Sequence, residues 1–254
     1  MESLPVVAFE DLGRAPYREV WDYQTELRDA LVARKRSNSK QHRAPCRHRL
    51  LFVEHDPVYT IGKSGKLDHL LLSEEELVRR GVSLYRSNRG GDITYHGPGQ
   101  LVGYPIFDLD DFFHDVRRYI AALEEAVIRT LAIYNLEGRR YEGYTGVWLA
   151  PSGMLPWRKI CAIGVHLSRW VTLHGFALNV DPDLAHFRGI VPCGITRGTH
   201  EVTSLALELG TCVDAPSLKV RLLTNMSEVF GFRYERSIDP SELSSWSSPA
   251  ASPA

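Results

Sequence analysis

Arg89-Gly-Gly-Asp-Ile-Thr-Tyr-His-Gly-Pro-Gly-Gln100 is the stretch from which the rest of the chain is read. Four glycines and a proline in twelve residues cost chain entropy and bury little surface. Such a segment exists where the backbone turns tightly or approaches a ligand closely, with Arg89, Tyr95 and His96 as its polar contacts. A strained hairpin without a ligand is the plain alternative. It is not a phosphate loop, because Gly-x-x-x-x-Gly-Lys-Ser/Thr is absent, and Gly97, Gly99 and Gly103 do not match the dinucleotide fingerprint.

Working outward, residues 82–86 and 93–96 read as strands on either side of Gly90-Gly91, and 101–109 as a third. Upstream, Pro16 opens a helical run with Val20, Tyr23, Leu27 and Leu31 at helical spacing. Residues 50–54 and 58–61 read as strands, and Ser73-Glu-Glu-Glu76 is a capping box. Downstream, Val116, Ile120, Leu123, Val127 and Leu131 mark one face of the longest helix, about 115–135. Strands follow at 145–149, 159–167 and 171–180, then a late helix at 215–230. The strands lie too close together for every connection to be a crossover helix, so the expectation is α/β, a single domain on a mixed sheet over 1–236. Residues 34–49 hold seven Lys/Arg and no acid and read as a solvated basic loop. Residues 237–254, rich in Ser, Pro and Ala, are expected to be disordered.

A chain of 254 residues can bury one substantial core. Its formal net charge of -1 gives no global field toward nucleic acid or a membrane. No run of about 18 apolar residues is present, and the first ten residues lack a basic n-region. Cys46, Cys161, Cys193 and Cys212 are widely spaced without a Cys-x-x-Cys pair, which fits a reduced, cytoplasmic setting.

Three further segments carry candidate chemistry. Lys159-Ile-Cys-Ala-Ile-Gly164 places a lysine at the start of an apolar strand, and His174-Gly-Phe-Ala-Leu-Asn-Val180 places a histidine at the start of another. Either residue is as readily a solvated or hydrogen-bonded structural group as a functional one. In Gly189-Ile-Val-Pro-Cys-Gly194, Cys193 lies between Pro192 and Gly194, outside any periodic run, whereas Cys161 is flanked by Ile160, Ala162 and Ile163. A thiol on a turn is accessible and one inside a strand is packed, yet free cysteines are commonly structural, so Cys193 stays one candidate among four. His42, Cys46 and His48 invite a zinc reading but have no fourth ligand and no zinc-finger spacing.

Together these segments, with Leu51-Phe-Val-Glu-His-Asp-Pro-Val-Tyr-Thr60, resemble the lipoyl(octanoyl) transferase family, whose members move an octanoyl group from acyl carrier protein to lipoyl domains. The resemblance runs from about residue 50 to 210 and implies the catalytic fold of biotin and lipoate protein ligases. It implies a Cys193/Lys159 dyad: Cys193 as acyl-thioester nucleophile, Lys159 as the group that lowers the thiol pKa and handles the proton. A substrate pocket would be lined by Arg89, Gly90, Gly91, Asp92, Ile93, Thr94, Tyr95 and His96, by Ala162, Ile163 and Gly164, and by Gly175, Phe176 and Ala177. The acyl group would arrive on phosphopantetheine, with no cofactor, no metal and no ATP. The implied partners are acyl carrier protein and the lipoyl domains of 2-oxoacid dehydrogenase complexes and glycine cleavage H protein, with neither nucleic acid nor membrane. The basic loop, the 151–157 loop and the Ser-rich tail depart from the family pattern without touching a motif. Three other readings stay open: an ATP-dependent ligase on the same fold, a hydrolase using Cys193 with His174, and an RNA-binding module using the basic loop.

Overall fold

A computed structural model of the protein describes residues 4–36, 48–191 and 200–246. The chain runs β1 (Val6–Ala15), α1 (Tyr17–Arg36), β2 (His48–His55), β3 (Val58–Ile61), α2 (Glu74–Arg79), β4 (Ser83–Arg86), β5 (Ile93–His96) and β6 (Gln100–Ile106). It continues with α3 (Val116–Ala132), β7 (Gly138–Tyr141), β8 (Tyr144–Leu149), β9 (Trp157–Ser168), β10 (Val171–Asn179), β11 (His200–Val202), α4 (Leu205–Leu209), α5 (Ala215–Phe230) and β12 (Arg233–Tyr234). The main sheet has the order β12-β1-β2-β6-β10-β9-β8-β7, with β11 also on β9; a small sheet has the order β4-β3-β5. Parallel pairs (β1 with β2 and β12, β11 with β9, β3 with β4) stand among antiparallel ones, so the sheet is mixed as expected.

Every residue of β10 is buried, because α3 and α5 cover one face of the sheet and α1 the other. Phe176 and Leu178 point into the α3–α5 side, while Leu173 and Ala177 point toward α1. Local signals agree with this packing. Ser73 closes its capping box with Glu76, Asp115 accepts the N–H groups of Arg117 and Arg118 at the start of α3, and Gly231 ends α5 at φ 71°. The 89–92 segment is no hairpin turn, since β4 and β5 both pair with β3 and not with each other.

Two expectations need correction. Within the basic run, Arg34, Lys35 and Arg36 form the last turn of α1, where cations complement the helix dipole, and Arg49 lies in β2. Lys35 pairs with Asp108 and Asp110, and Arg49 with Glu10, so these are tied rather than solvated side chains. Lys40, Arg43 and Arg47 lie outside the described residues. The tail is ordered over 237–246. Leu243 is buried, Trp246 donates its Nε1–H to Val213 O, and Ser244 bonds the Asp11 carboxylate. Three anchors to the body of the domain outweigh a disorder-prone composition.

The second of these corrections carries a prediction. Asp11 and Lys219 pair at 2.9 Å with each side chain only 4% exposed. Removing one partner of a buried pair strands the other charge, so Asp11→Ala should cost about 3 kcal/mol in urea denaturation. An unchanged midpoint would show that water reaches the lysine.

Candidate active site

A cavity of about 530 Å³ is lined by β5, β6, β9 and β10 and by the glycine-rich segment 89–92. The chain backbone explains why it lies there. The pairing of β8 with β9 ends at Cys161, leaving the outer edge of the later part of β9 to the Gly90 N–H, which donates to Val165 O at 2.9 Å. The contact is close: a Cβ at Gly164 would stand 2.8 Å from Gly90 O. Gly91, at φ 87°, takes the left-handed turn that follows.

Every residue assigned to the pocket from the sequence lines this cavity except Tyr95. Tyr95 pairs with Tyr59 and stacks on His186 at 4.5 Å, so its ring fills the core of the small sheet. Thr94 and His96 point the other way along β5, while Ile93 shares the face of Tyr95 and packs in the small-sheet core where it borders the cavity.

Arg89 is 8% exposed, and its guanidinium is spent on the chain itself. It donates to Thr60 Oγ1 and O, to Gly90 O and to Asp92 O. The Asp92 carboxylate takes the N–H groups of Ile93 and Lys66 on one oxygen and faces His69 Nδ1 at 2.5 Å on the other. The main chain of the His69 segment meets the 189–191 segment: Val191 N–H donates to His69 O, and Leu70 bridges Ile190. Arg89 and Asp92 therefore build the cavity wall, and Asp92 anchors the chain that leads toward Pro192.

The cavity histidines are uncharged near neutral pH. His174 is held at about 3 and His96 at about 3, both through burial first and neighbouring cations or histidines second. His174 Nε2 lies 2.6 Å from Asn88 Oδ1, and its φ of 61° turns its N–H out of the ladder onto Gln24 Oε1. His96 begins a chain that the sequence reading passed over: to Gln100, from Gln100 to Asn179 Oδ1 at 2.8 Å, and from Asn179 to Thr203 O at 2.9 Å. Gln100 and Asn179 sit inside the quoted motifs, where polar residues on otherwise apolar strands were the available signal.

Lys159 lines the cavity from β9, directly opposite Trp148 of β8 and Val202 of β11. Its Nζ stands 4.5 Å over the Trp148 ring, a cation–π contact that favours the charged ammonium. Trp148 is fully buried and donates its Nε1–H to Tyr144 O, so the ring is a fixed seat. Nothing in the sequence singled out Trp148.

Of the four thiols, Cys161 is fully buried in the main core, and burial pushes its thiol far above the ordinary range. That makes it inert. Cys212 is exposed on the link between α4 and α5. Cys193 and Cys46 lie outside the described residues. The chain is described up to Val191, four residues after the cavity residue Phe187, and again from His200, whose strand runs on to Val202 beside Lys159. Of the zinc trio only His48 is described, and it is buried with Nδ1 accepting the Asp108 N–H and Nε2 facing Asp111. No helix is long and apolar enough to cross a membrane among the described residues, and no group of three or more His, Cys, Asp or Glu is placed to hold a metal.

This mixed sheet, with its lysine-tipped strand over a glycine-rich loop, is the fold of lipoate-protein ligases. A bi-partite lipoate protein ligase from Thermoplasma acidophilum superposes with TM-score 0.64 at 18% identity, covering 95% of this chain and 89% of that one. Lipoate-protein ligase A bound with ATP gives TM-score 0.63 at 19% identity, over 95% and 91%. The family model described as "Lipoyl protein ligase A/B catalytic domain" matches residues 16–227. Among curated proteins, "Octanoyltransferase" of Cytophaga hutchinsonii is 50% identical over 90% of this chain and 94% of its own length. That of Flavobacterium johnsoniae is 51% identical over 88% and 96%. The chain belongs to the octanoyltransferase family, within the lipoyl protein ligase A/B catalytic-domain family, and is an acyltransferase.

Proposed function

We propose that the protein moves an octanoyl group from octanoyl-acyl carrier protein to the lysine of a lipoyl domain through a thioester on Cys193. The observation that carries this reading is Lys159, an ammonium seated on Trp148 at the wall of a largely apolar cavity. A thiol near pKa 8.5 is a weak nucleophile at neutral pH, and an ammonium within about 4–6 Å favours its thiolate. The Cys193 thiolate attacks the donor's thioester carbonyl; the C–S bond to the phosphopantetheine arm breaks, and Lys159 gives its proton to the departing thiolate. No ATP is needed, because one thioester replaces another.

In the second half the amine of the acceptor lysine attacks the acyl-enzyme, the new amide forms and the Cys193–acyl bond breaks. The neutral Lys159 takes the proton that the amine must lose. The Gly90, Gly91 and Gly164 backbone is the proposed source of N–H groups for the tetrahedral oxyanion. Ile163 and Phe176 receive the acyl chain, each buried CH₂ contributing about 0.8 kcal/mol. The acceptors proposed are the lipoyl domains of 2-oxoacid dehydrogenase complexes and glycine cleavage H protein, met in the cytoplasm, with no cofactor or metal. The state of His174 speaks against the hydrolase reading, since burial leaves it a weak base, at about 3, and its Nε2 is turned to Asn88.

The test is mass mapping. Incubated with octanoyl-carrier and no acceptor, the protein should gain one octanoyl group, on the peptide holding Cys193. An adduct on Cys161 or Cys212, or none, overturns the reading. Product formed from free octanoate only when ATP is added would assign the chain to the ligases.

A further inference from the structure

We propose that Arg28, Lys63 and His166 form an anion subsite at the rim of the cavity, and that it takes the phosphate of the donor's long thioester arm. The proposal rests on the transfer reading above and adds to it the place where the donor's anionic group is held.

Three elements bring the groups together: Arg28 from α1, Lys63 from the segment after β3, and His166 from β9. Lys63 Nζ lies 3.2 Å from His166 Nδ1, so an ammonium donates to a neutral imidazole. His166 stands between two cavity-lining residues, Val165 and Leu167, and the Lys63 N–H donates to the carbonyl of Arg89, in the cavity wall. Among the described residues no carboxylate lies within 4 Å of Lys63 or His166. Among the described residues Arg28 pairs only with Asp29 on its own helix, an exposed neighbour that contributes little. Cations gathered without an acid repel one another, and such a cluster is relieved when an anion binds.

Among the described residues, Lys63 in contact and Arg28 and the neutral His174 near by act on His166, with no acid among them. Burial first, and then Lys63 and Arg28, hold the imidazole uncharged. An anion among the three reverses the balance: His166 takes up a proton and donates to the ligand alongside Lys63 and Arg28. Binding is therefore coupled to proton uptake and strengthens as the pH falls.

Strand geometry identifies the kind of anion. Lys159 and His166 lie seven residues apart on β9, about 23 Å of strand at 3.3 Å per residue. A charge developing at the reacting carbonyl does not reach the rim. An anion at the far end of an extended tether spans that distance, and a phosphorylated thioester arm has that form.

The experiment compares octanoyl-pantetheine, octanoyl-phosphopantetheine and octanoyl-carrier as donors to the full-length protein. In Lys63→Met and in His166→Gln, KM for both phosphorylated donors should rise about tenfold, the worth of one charge-assisted hydrogen bond. The kcat for those donors, and both constants for octanoyl-pantetheine, should stay unchanged. The native preference for the phosphorylated arm should shrink between about pH 6 and about pH 8 and be flat in His166→Gln. Equal losses with and without the phosphate, or no loss at all, overturn the subsite. A loss confined to octanoyl-carrier also overturns it, placing the cluster against the carrier's acidic surface. Failure of the native protein to form an acyl adduct with any donor sinks the transfer reading itself, a separate outcome.

Discussion

Lys159→Ala should slow acylation of the protein by about 10²–10⁴-fold while leaving its thermal midpoint nearly unchanged. The sign of the pH effect follows from the ammonium. In the proposed mechanism the ammonium seated over Trp148 favours the thiolate of Cys193 at a pH below that of a free thiol. Without it, the midpoint of the acylation rate should move upward toward about 8.5, the value of an isolated cysteine. Stopped-flow acylation across pH measures both quantities. A lower rate with an unmoved midpoint would mean that Lys159 only shapes the cavity. An unchanged rate would remove it from the chemistry.

The second large effect is expected at Arg89. Its fork reaches Thr60, Gly90 and Asp92 in one plane, and no lysine reproduces that geometry. Arg89→Lys should strip the Thr60 hydroxyl and carbonyl and Gly90 O of their guanidinium donors, at about 1–3 kcal/mol for each group left unpaired, while Asp92 O keeps the Gly62 N–H. We expect a loss of about 3 kcal/mol in chemical denaturation, and slower acylation from a loosened 89–92 wall. Loss of acylation with full stability would instead make Arg89 a direct substrate contact. The distinction matters because the resemblance placed Arg89 in the pocket as a ligand group, whereas its guanidinium bonds Thr60 and, in the cavity wall, Gly90 and Asp92.

How much of this was legible beforehand depended on the kind of signal. Helices with periodic faces and caps, such as α3 and α5, were read to within a few residues because local chemistry sets their ends. Strands β1, β7, β11 and β12 were not read. β1 carries Glu10 and Asp11 in mid-strand, and these are satisfied by Arg49, Lys219 and Ser244, residues distant in sequence. Such partners leave no trace in a local window. The same limit applies to the site. The motifs supplied strand and loop residues of the cavity but not Tyr17, Tyr104, Val116, Ile120 or Phe187, which reach it from elsewhere in the chain, and roles depend on direction: Tyr95 points into the small sheet, and Asp92 turns to His69. Cys161 was separable from Cys193 by its apolar neighbours, and its burial accords with that. Trp148 was invisible because a tryptophan in a strand looks like core until a lysine is found over its face.

The clasp between Asp11, Lys219 and Ser244 has a consequence for how the chain is made. Strand β1 is made before β2 and finds it soon after α1, yet its other edge pairs with β12, at Val6–Arg233 and Val7–Tyr234. That edge, and the carboxylate of Asp11, wait for some two hundred residues of synthesis. During that interval the nascent chain displays an open strand edge beside an unpaired acid, and the acid itself discourages edge-to-edge association. Closure of the domain is thus a late, long-range event that sets a slow folding step. A chain stalled before residue 233 would hold most of its catalytic sheet and still present an unsealed border to chaperones and proteases.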